Sequence, residues 1–468
     1  MATNQTHKIW RTKFTQILPF FILHSSFFIF FSCDKFLDIQ PTGKVIAETG
    51  EEYRAMLTSV YNNFPDDRSL TMFRTDELVL DPASTESYDL NSYFDIWTWN
   101  DITPDENTAS YSWRNFYHAI YIANYIIEHQ SEITQAPTDS VRQMVGEAYM
   151  LRAYSHFILV NLFGEPYTYC NPSTSLAVPL MIEADVEAVP GRATVEAIYQ
   201  QLLSDIAAAQ QNLTVETWEP DLSYRFNTLS AEAFRARVCL YMGRWQEALT
   251  AAKAVIEAHP QLENLTTTTY TMPDHYKSVE AIVSLEHVLK SAYKRAGLPN
   301  VAFINSYRSG DMRKARFFKA QTSRVYNVLK GVKNGDSEDK EQYHRSTFRS
   351  AEAYLTAAEA AARLGSLPEA IELITPLLRH RYAAAMVTRL LPQLEAMTQE
   401  QLVDFILEER AHELCYEGHR WFDLRRTTQP RLERTYDGKT YVLEEHDSRY
   451  TMPIPTEAIS ANPGLAAE

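Results

Sequence analysis

Glycine is scarce in this chain, 14 of 468 residues, under half the usual share of about 7%. A large all-β protein needs glycine for its tight turns, so the shortage points to helices. Positive charge is also short. Lys and Arg number 44 against 60 Asp and Glu, a net charge of −16. The segment ahead of Cys33 holds Lys8, Arg11 and Lys13 and no acid, so a chain without it is more acidic still. Such a surface repels phosphate backbones, and general nucleic-acid binding is excluded. Only Cys33, Cys170, Cys239 and Cys415 are present, with no CxxC, so neither a zinc ribbon nor a thioredoxin-type site is readable. One disulfide among the last three stays open, although Cys239 and Cys415 lie in helical patterns where a buried thiol acts as a small hydrophobe. No two glycines stand two or five residues apart, which removes G-x-G-x-x-G and the P-loop, and the one pair four apart, Gly331 and Gly335, has Lys333 between them in place of serine, which removes G-x-S-x-G. His412-Glu413 lacks the second histidine of H-E-x-x-H, and His412 with His419 alone do not make a metal site. No catalytic residue, cofactor or metal is expected.

What is present begins with an export signal. Lys8, Arg11 and Lys13 precede an apolar run from Ile17 to Phe31. The run is short for a membrane-spanning helix, which needs about 20 residues, and fits the apolar region of a secretory signal peptide. It ends at Ser32-Cys33, a small residue followed by cysteine, as at a bacterial lipidation site. The expected division is a signal peptide over 1–32 and a mature chain over 33–468, with Cys33 as the lipid attachment.

The mature chain reads as mainly α. Three- and four-residue spacing predicts helices over Tyr111–Gln130, Ser140–Leu162 and Val195–Gln211, the last with Thr194 as N-cap. A sharper pattern follows. Ala236, Gly243, Ala248 and Pro260 stand at tetratricopeptide spacing, and Ala358, Gly365 and Ala370 repeat it. Alanine lets two antiparallel helices approach and glycine turns the chain between them; single pairs cannot bury their apolar faces, so several must stack. The expected architecture is an interrupted tetratricopeptide-like scaffold of helix pairs over about 111–260 and 348–426. An irregular insertion with short strands fills about 261–347. Residues 66–108 read as loops and short elements, Thr398–Arg426 as one long final helix, and 427–468 as a terminal loop.

Four segments together carry a family resemblance. They are Phe31-Ser32-Cys33-Asp34 with Phe36-Leu37-Asp38-Ile39-Gln40-Pro41; Glu147-Ala148 through Arg152-Ala153-Tyr154 to Leu162-Phe163-Gly164; Glu408-Glu409-Arg410 through Glu417-Gly418 to Arg420-Trp421-Phe422-Asp423-Leu424-Arg425-Arg426; and Pro453-Ile454-Pro455 with Asn462-Pro463. In order and content they resemble the SusD/RagB family of outer-membrane nutrient-binding lipoproteins from Bacteroidetes. The resemblance implies a helical scaffold packed on a SusC-like TonB-dependent β-barrel transporter, with loops that capture an oligosaccharide. It implies a lipid-anchored protein of the outer membrane, exposed at the cell surface, that catalyses nothing.

Two sets of side chains bear on that reading. Glu409, Glu413 and Glu417 repeat every four residues with Arg410, Arg420, Arg425 and Arg426 close by. A glycosidase would pair two such carboxylates across a cleft; a buried Glu–Arg network accounts for the stripe without one. The second set is aromatic, because sugar rings stack their C–H faces on Trp and Tyr while hydroxyls seek polar partners. Trp97-Thr98-Trp99-Asn100-Asp101 places both kinds within five residues, and an extended backbone would turn both indoles to one side. The alternative is that one or both plug the core. The starch-binding member of the family resembles this chain in drawing Trp and Asn from this segment. Arg74, Asp76 and Glu77 add polar groups upstream, and Tyr270, His275, Tyr276, Tyr307 and Arg308 are further ligand-binding candidates in the insertion. Two other classes stay open: a tetratricopeptide scaffold that binds only protein, and a secreted glycosidase.

Overall fold

The computed structural model describes residues 47–322, 325–330 and 340–466. Cys33, the leader and the Phe36–Pro41 motif lie outside these residues. Local signals set several helix starts. Thr49 opens Gly50–Asn62 with a capping box: its hydroxyl accepts the Glu52 N–H at 3.3 Å and the Glu52 carboxylate accepts the Thr49 N–H at 2.9 Å. Thr194 caps Val195–Asn212 as expected, accepting from the Ala197 N–H at 3.2 Å. The remaining scaffold helices are Trp113–Glu128, Thr138–Phe163, Thr228–Tyr241, Trp245–Ala258, Ser350–Arg363, Leu367–Arg381 and Gln399–Glu413. Gly243 and Gly365, at φ +70° and +81°, make the two hairpin turns.

The protein is mostly helical, and the array is continuous in space although interrupted in sequence. Each scaffold helix from Trp113–Glu128 to Trp245–Ala258 packs on the next, and Trp245–Ala258 then packs on Ser350–Arg363. Ala248 and Ala252 on one helix and Ala358 and Ala361 on the other are fully buried, so small side chains let the two copies of the motif meet. The insertion is thereby expelled sideways. It forms short antiparallel pairs, Ala281–Val283 with Phe348–Arg349 and Phe318–Ala320 with Tyr326–Val328, while Gly297–Pro299 pairs with Leu78–Leu80. A second apolar core lies beneath, built from Leu70, Phe73, Trp97, Tyr293, Phe317 and Tyr416 among others.

Four expectations need correction. Residues 66–108 hold more than loops and short elements: Ser87–Trp97 is a helix of 11 residues. Its Ser, Asp and Asn content lowers intrinsic propensity, and its stability comes from burying Tyr93, Ile96 and Trp97. Ala384–Glu395 is a further helix that the sequence reading passed over. Residues 427–468 carry a β-hairpin, Leu432–Tyr436 against Lys439–Leu443, and a short helix over Thr456–Ala461. The final helix is two helices, Gln399–Glu413 and Arg420–Thr427. The break is made by distant donors. Arg349 donates to the Glu413 carbonyl at 2.9 Å, and Lys330 donates to the carbonyls of Glu413 and Cys415 at 3.0 Å each, which replaces the next helical hydrogen bonds.

Glu77 lies in this second region, fully buried, accepting the Tyr416 N–H at 2.8 Å and the Thr75 hydroxyl at 3.2 Å. Burial pushes its carboxyl up to about 7, against the opposing Tyr416 hydrogen bond. Between its ordinary value and 7 the folded state holds a proton that the unfolded chain has released, so stability falls as pH rises through that window. Glu77→Gln is expected to flatten the decline, worth up to about 3 kcal/mol. Urea midpoints measured from pH 4.5 to 8 check this; an unchanged slope would exclude Glu77 as its source.

Candidate functional site

The Trp97–Asp101 segment does not form an exposed platform. Trp97 ends its helix and Trp99 follows at φ +56°. The Asn100 N–H donates to Asp95 O at 2.9 Å and the Trp99 N–H to Ile96 O at 3.3 Å, which is a Schellman ending with tryptophan where glycine is usual. The chain therefore turns instead of extending, and the indoles point inward, 2% and 1% exposed. Trp97 Nε1 donates to Leu78 O, and Trp99 Nε1 to Arg74 O at 3.1 Å. The Arg434 guanidinium lies 4.9 Å and 4.1 Å from their rings. The core-plug alternative holds for both. Trp99→Phe is expected to cost about 1–2 kcal/mol through the lost hydrogen bond and contacts while leaving glycan affinity unchanged; thermal melts and binding titrations check the two halves.

The upstream polar candidates are also committed to structure. Arg74 is buried, bidentate to Asp101 at 2.6 and 2.8 Å, and stacked 4.7 Å over Trp421. Asp76 is bidentate to Arg420 at 2.8 and 2.7 Å. Asn100 donates to Asp95 and to Thr103 O. Tyr307 is buried, its ring stacked 4.0 Å from His412 and its hydroxyl donating to His412 O. Burial, with Arg313 beside it, pushes His412 down to about 2, so it is neutral and packed. Arg308 is held by Glu408 and Glu409.

The glutamate stripe is the buried ion network that the sequence suggested. Glu413 accepts Arg349 and Arg381 at 2.8 Å each on one oxygen and Arg381 at 2.8 Å on the other. Glu280 bridges the same two arginines at 2.7 and 2.6 Å. Glu417 pairs with Lys330 and Arg349, and Glu409 with Arg313. Each of these carboxylates is fixed by cations inside the protein, with none facing a cleft beside a second free acid.

Of the candidates named from sequence, Tyr276 stands in an open aromatic groove, and Asp101 lines a different cavity with Phe163, Tyr169 and Tyr450. The groove, about 340 Å³, lies between the Pro220–Tyr224 loop and the insertion, and Tyr224, Tyr276 and Tyr343 line it. All three tyrosines are half-buried. Tyr276 and Tyr343 are 5.6 Å apart, with His275 stacked 5.0 Å behind Tyr276. The pair is held in register by the Tyr276 N–H donating to Tyr343 O at 2.9 Å and by the bridge between His275 and His344. Tyr224 is anchored edge-on to the core residue Tyr61 at 5.4 Å. Asp221, Gln342 and Arg345 supply polar groups at the rim, and Ser284 supplies a buried hydroxyl with no hydrogen-bond partner among the described residues. A concave surface of stacking rings with convergent polar groups suits a small polar, ring-containing ligand. Tyr224, Tyr343 and Arg345 were missed because they come from two segments more than a hundred residues apart. The aromatic residues of the Trp218–Arg225 linker were the available signal.

Comparison with known proteins follows the same lines. A family model described as starch-binding and associating with the outer membrane matches residues 35–240, and one described as the SusD family matches residues 304–467. The SusD-like protein P38 of Formosa agariphila is 26% identical, covering 89% of this chain and 92% of that protein; the SusD-like protein P25 of the same organism is 21% identical, covering 93% and 95%. A solved SusD superfamily protein from Bacteroides thetaiotaomicron superimposes with a TM-score of 0.73 at 21% identity, over 89% of this chain and 99% of that one. A SusD-like carbohydrate-binding protein from Bacteroides vulgatus gives 0.68 at 17% identity, over 90% and 98%. Among the described residues no helix is long and apolar enough to cross a membrane.

Proposed function

Because this chain belongs to the SusD/RagB family, we propose that it is a non-catalytic glycan-binding protein. In this reading it captures oligosaccharide in the Tyr224–Tyr276–Tyr343 groove. It is anchored in the outer membrane through acyl chains on Cys33, faces the cell exterior, and hands its ligand to a SusC-like TonB-dependent transporter. The observation that carries the reading is the groove: three half-buried tyrosines line it beside a buried hydroxyl with no partner among the described residues. Sugar C–H faces stack on such rings and ring hydroxyls meet the rim. A passive role is supported by the acidic stripe, whose carboxylates are fully engaged by Arg313, Arg349, Arg381 and Lys330. General acid–base chemistry on a glycoside needs two free carboxylates flanking the bond.

The test is a glycan array of the mature chain followed by calorimetry on any hit. Tyr276→Ala with Tyr343→Ala is expected to weaken binding at least about tenfold, from the loss of two stacking faces, with an unchanged melting temperature. Retained affinity would move the site elsewhere. No glycan binding at all would favour the protein-interaction scaffold.

A further inference from the structure

Resting on the glycan-binding reading above, we propose that the groove selects oligosaccharides bearing an anionic substituent, a carboxylate or a sulfate ester, over neutral ones. Three cations surround the rings. Arg345 lines the groove, half-buried. Its Nε donates to Gln342 O at 3.0 Å, and its two terminal nitrogens meet no partner among the described residues. Arg225 sits 5.2 Å from the Trp218 ring and 5.4 Å from the Tyr224 ring. Lys277, exposed, lies 5.3 Å over the Tyr276 ring. Among the lining residues Arg345 is the one cation and Asp221 the one carboxylate, and Arg225 and Lys277 add positive charge against the Tyr224 and Tyr276 rings.

Some arginines of this protein are matched by carboxylates, and others, such as the buried Arg425 and Arg434, donate to backbone carbonyls instead. Arg74, Arg152, Arg237 and Arg420 each meet a carboxylate at 2.5–2.7 Å. Arg225 and Arg345 form no ion pair with any described residue, and side-chain charge left uncompensated next to stacking rings suits a ligand that brings its own counter-charge. A guanidinium presents paired N–H donors that fit the oxygens of a carboxylate or a sulfate. The buried Ser284 hydroxyl, which has no partner among the described residues, supplies a further donor at the groove. Cations held against tyrosine faces also keep the rings in place for a sugar to stack upon.

The experiment titrates the mature chain by calorimetry with tetragalacturonate (carboxylate), a κ-carrageenan tetrasaccharide (sulfate) and cellotetraose (neutral), at low and high salt. The expected result is binding of at least one anionic probe about tenfold or more tighter than cellotetraose, weakened by salt. The stronger of the two anionic probes identifies the substituent. Arg345→Gln is expected to remove about tenfold from the anionic affinity and to weaken any neutral binding by clearly less than that. If that variant melts early, Lys277→Gln, at an exposed position, carries the same test. Cellotetraose binding as tightly as the anionic probes overturns the charge selectivity and leaves the glycan reading standing. Anionic affinity unaffected by either substitution overturns the assignment of these cations. Failure of all three probes together with an empty glycan array overturns both readings.

Discussion

Glu413→Gln is expected to destabilise the protein by about 3–5 kcal/mol, the usual cost of removing one partner from a buried ion pair. Burial raises the Glu413 carboxyl, but Arg381 and Arg349 override it and hold the group well below the ordinary carboxylate range. Its stabilising share is therefore present above the unfolded-state value and disappears as pH falls through the folded one, opposite in sign to Glu77. Glutamine keeps the volume yet offers one acceptor oxygen instead of two, and turns an amide N–H₂ towards guanidinium donors. Arg349 and Arg381, both buried, then keep Glu280 as a shared partner and lose Glu413, and of the two only Arg349 also keeps Glu417. The effect should extend beyond the site, because Arg349 precedes the Ser350–Arg363 scaffold helix and Arg381 ends Leu367–Arg381. Urea denaturation followed by circular dichroism measures it. A loss below about 1 kcal/mol would show that the network sets specificity of fold more than its stability.

Gly418→Ala is expected to cost about 3 kcal/mol or more. Gly418 has φ +74°, a conformation that alone costs an L-residue about 1–2 kcal/mol. A Cβ there would also lie 2.5 Å from the Arg68 carbonyl oxygen, a backbone atom that cannot swing away. Arg68 is in turn fixed: its guanidinium donates to Glu286 at 3.0 Å and to Ser346 O at 2.8 Å and meets His419 Nε2 at 3.0 Å. Gly365→Ala is the internal control. Its φ is +81° with nothing within 4 Å of the added atom, so it should show the dihedral cost alone. Equal losses for the two variants in the same denaturation assay would show that the Arg68 contact contributes nothing.

How far the sequence could be read follows from the range of the forces involved. The helix pairs were legible because alanine and glycine at fixed spacing act on neighbours a turn away, and Thr194 was legible as a cap because its partner is three residues on. The glutamate stripe was legible as a network because four-residue periodicity on an apolar face leaves buried carboxylates in need of cations, though not which cations. Trp97 and Trp99 were misplaced because the reading assumed an extended backbone. The Ser87–Trp97 helix exists only through the core it buries, and its Schellman ending turned both rings inward.

Local pattern thus determined on its own that this chain is a stack of α-hairpins with an interrupting segment and an acidic stripe needing partners. Tertiary packing alone decided where the last long helix breaks, since the donors from Arg349 and Lys330 that end it are 64 to 85 residues away in sequence. It also decided the groove: Tyr224 belongs to a linker within the first half of the array, and Tyr276 and Tyr343 to opposite ends of the insertion. They come together because the two halves of the array close on each other through buried alanines, and no spacing rule within one segment encodes that approach.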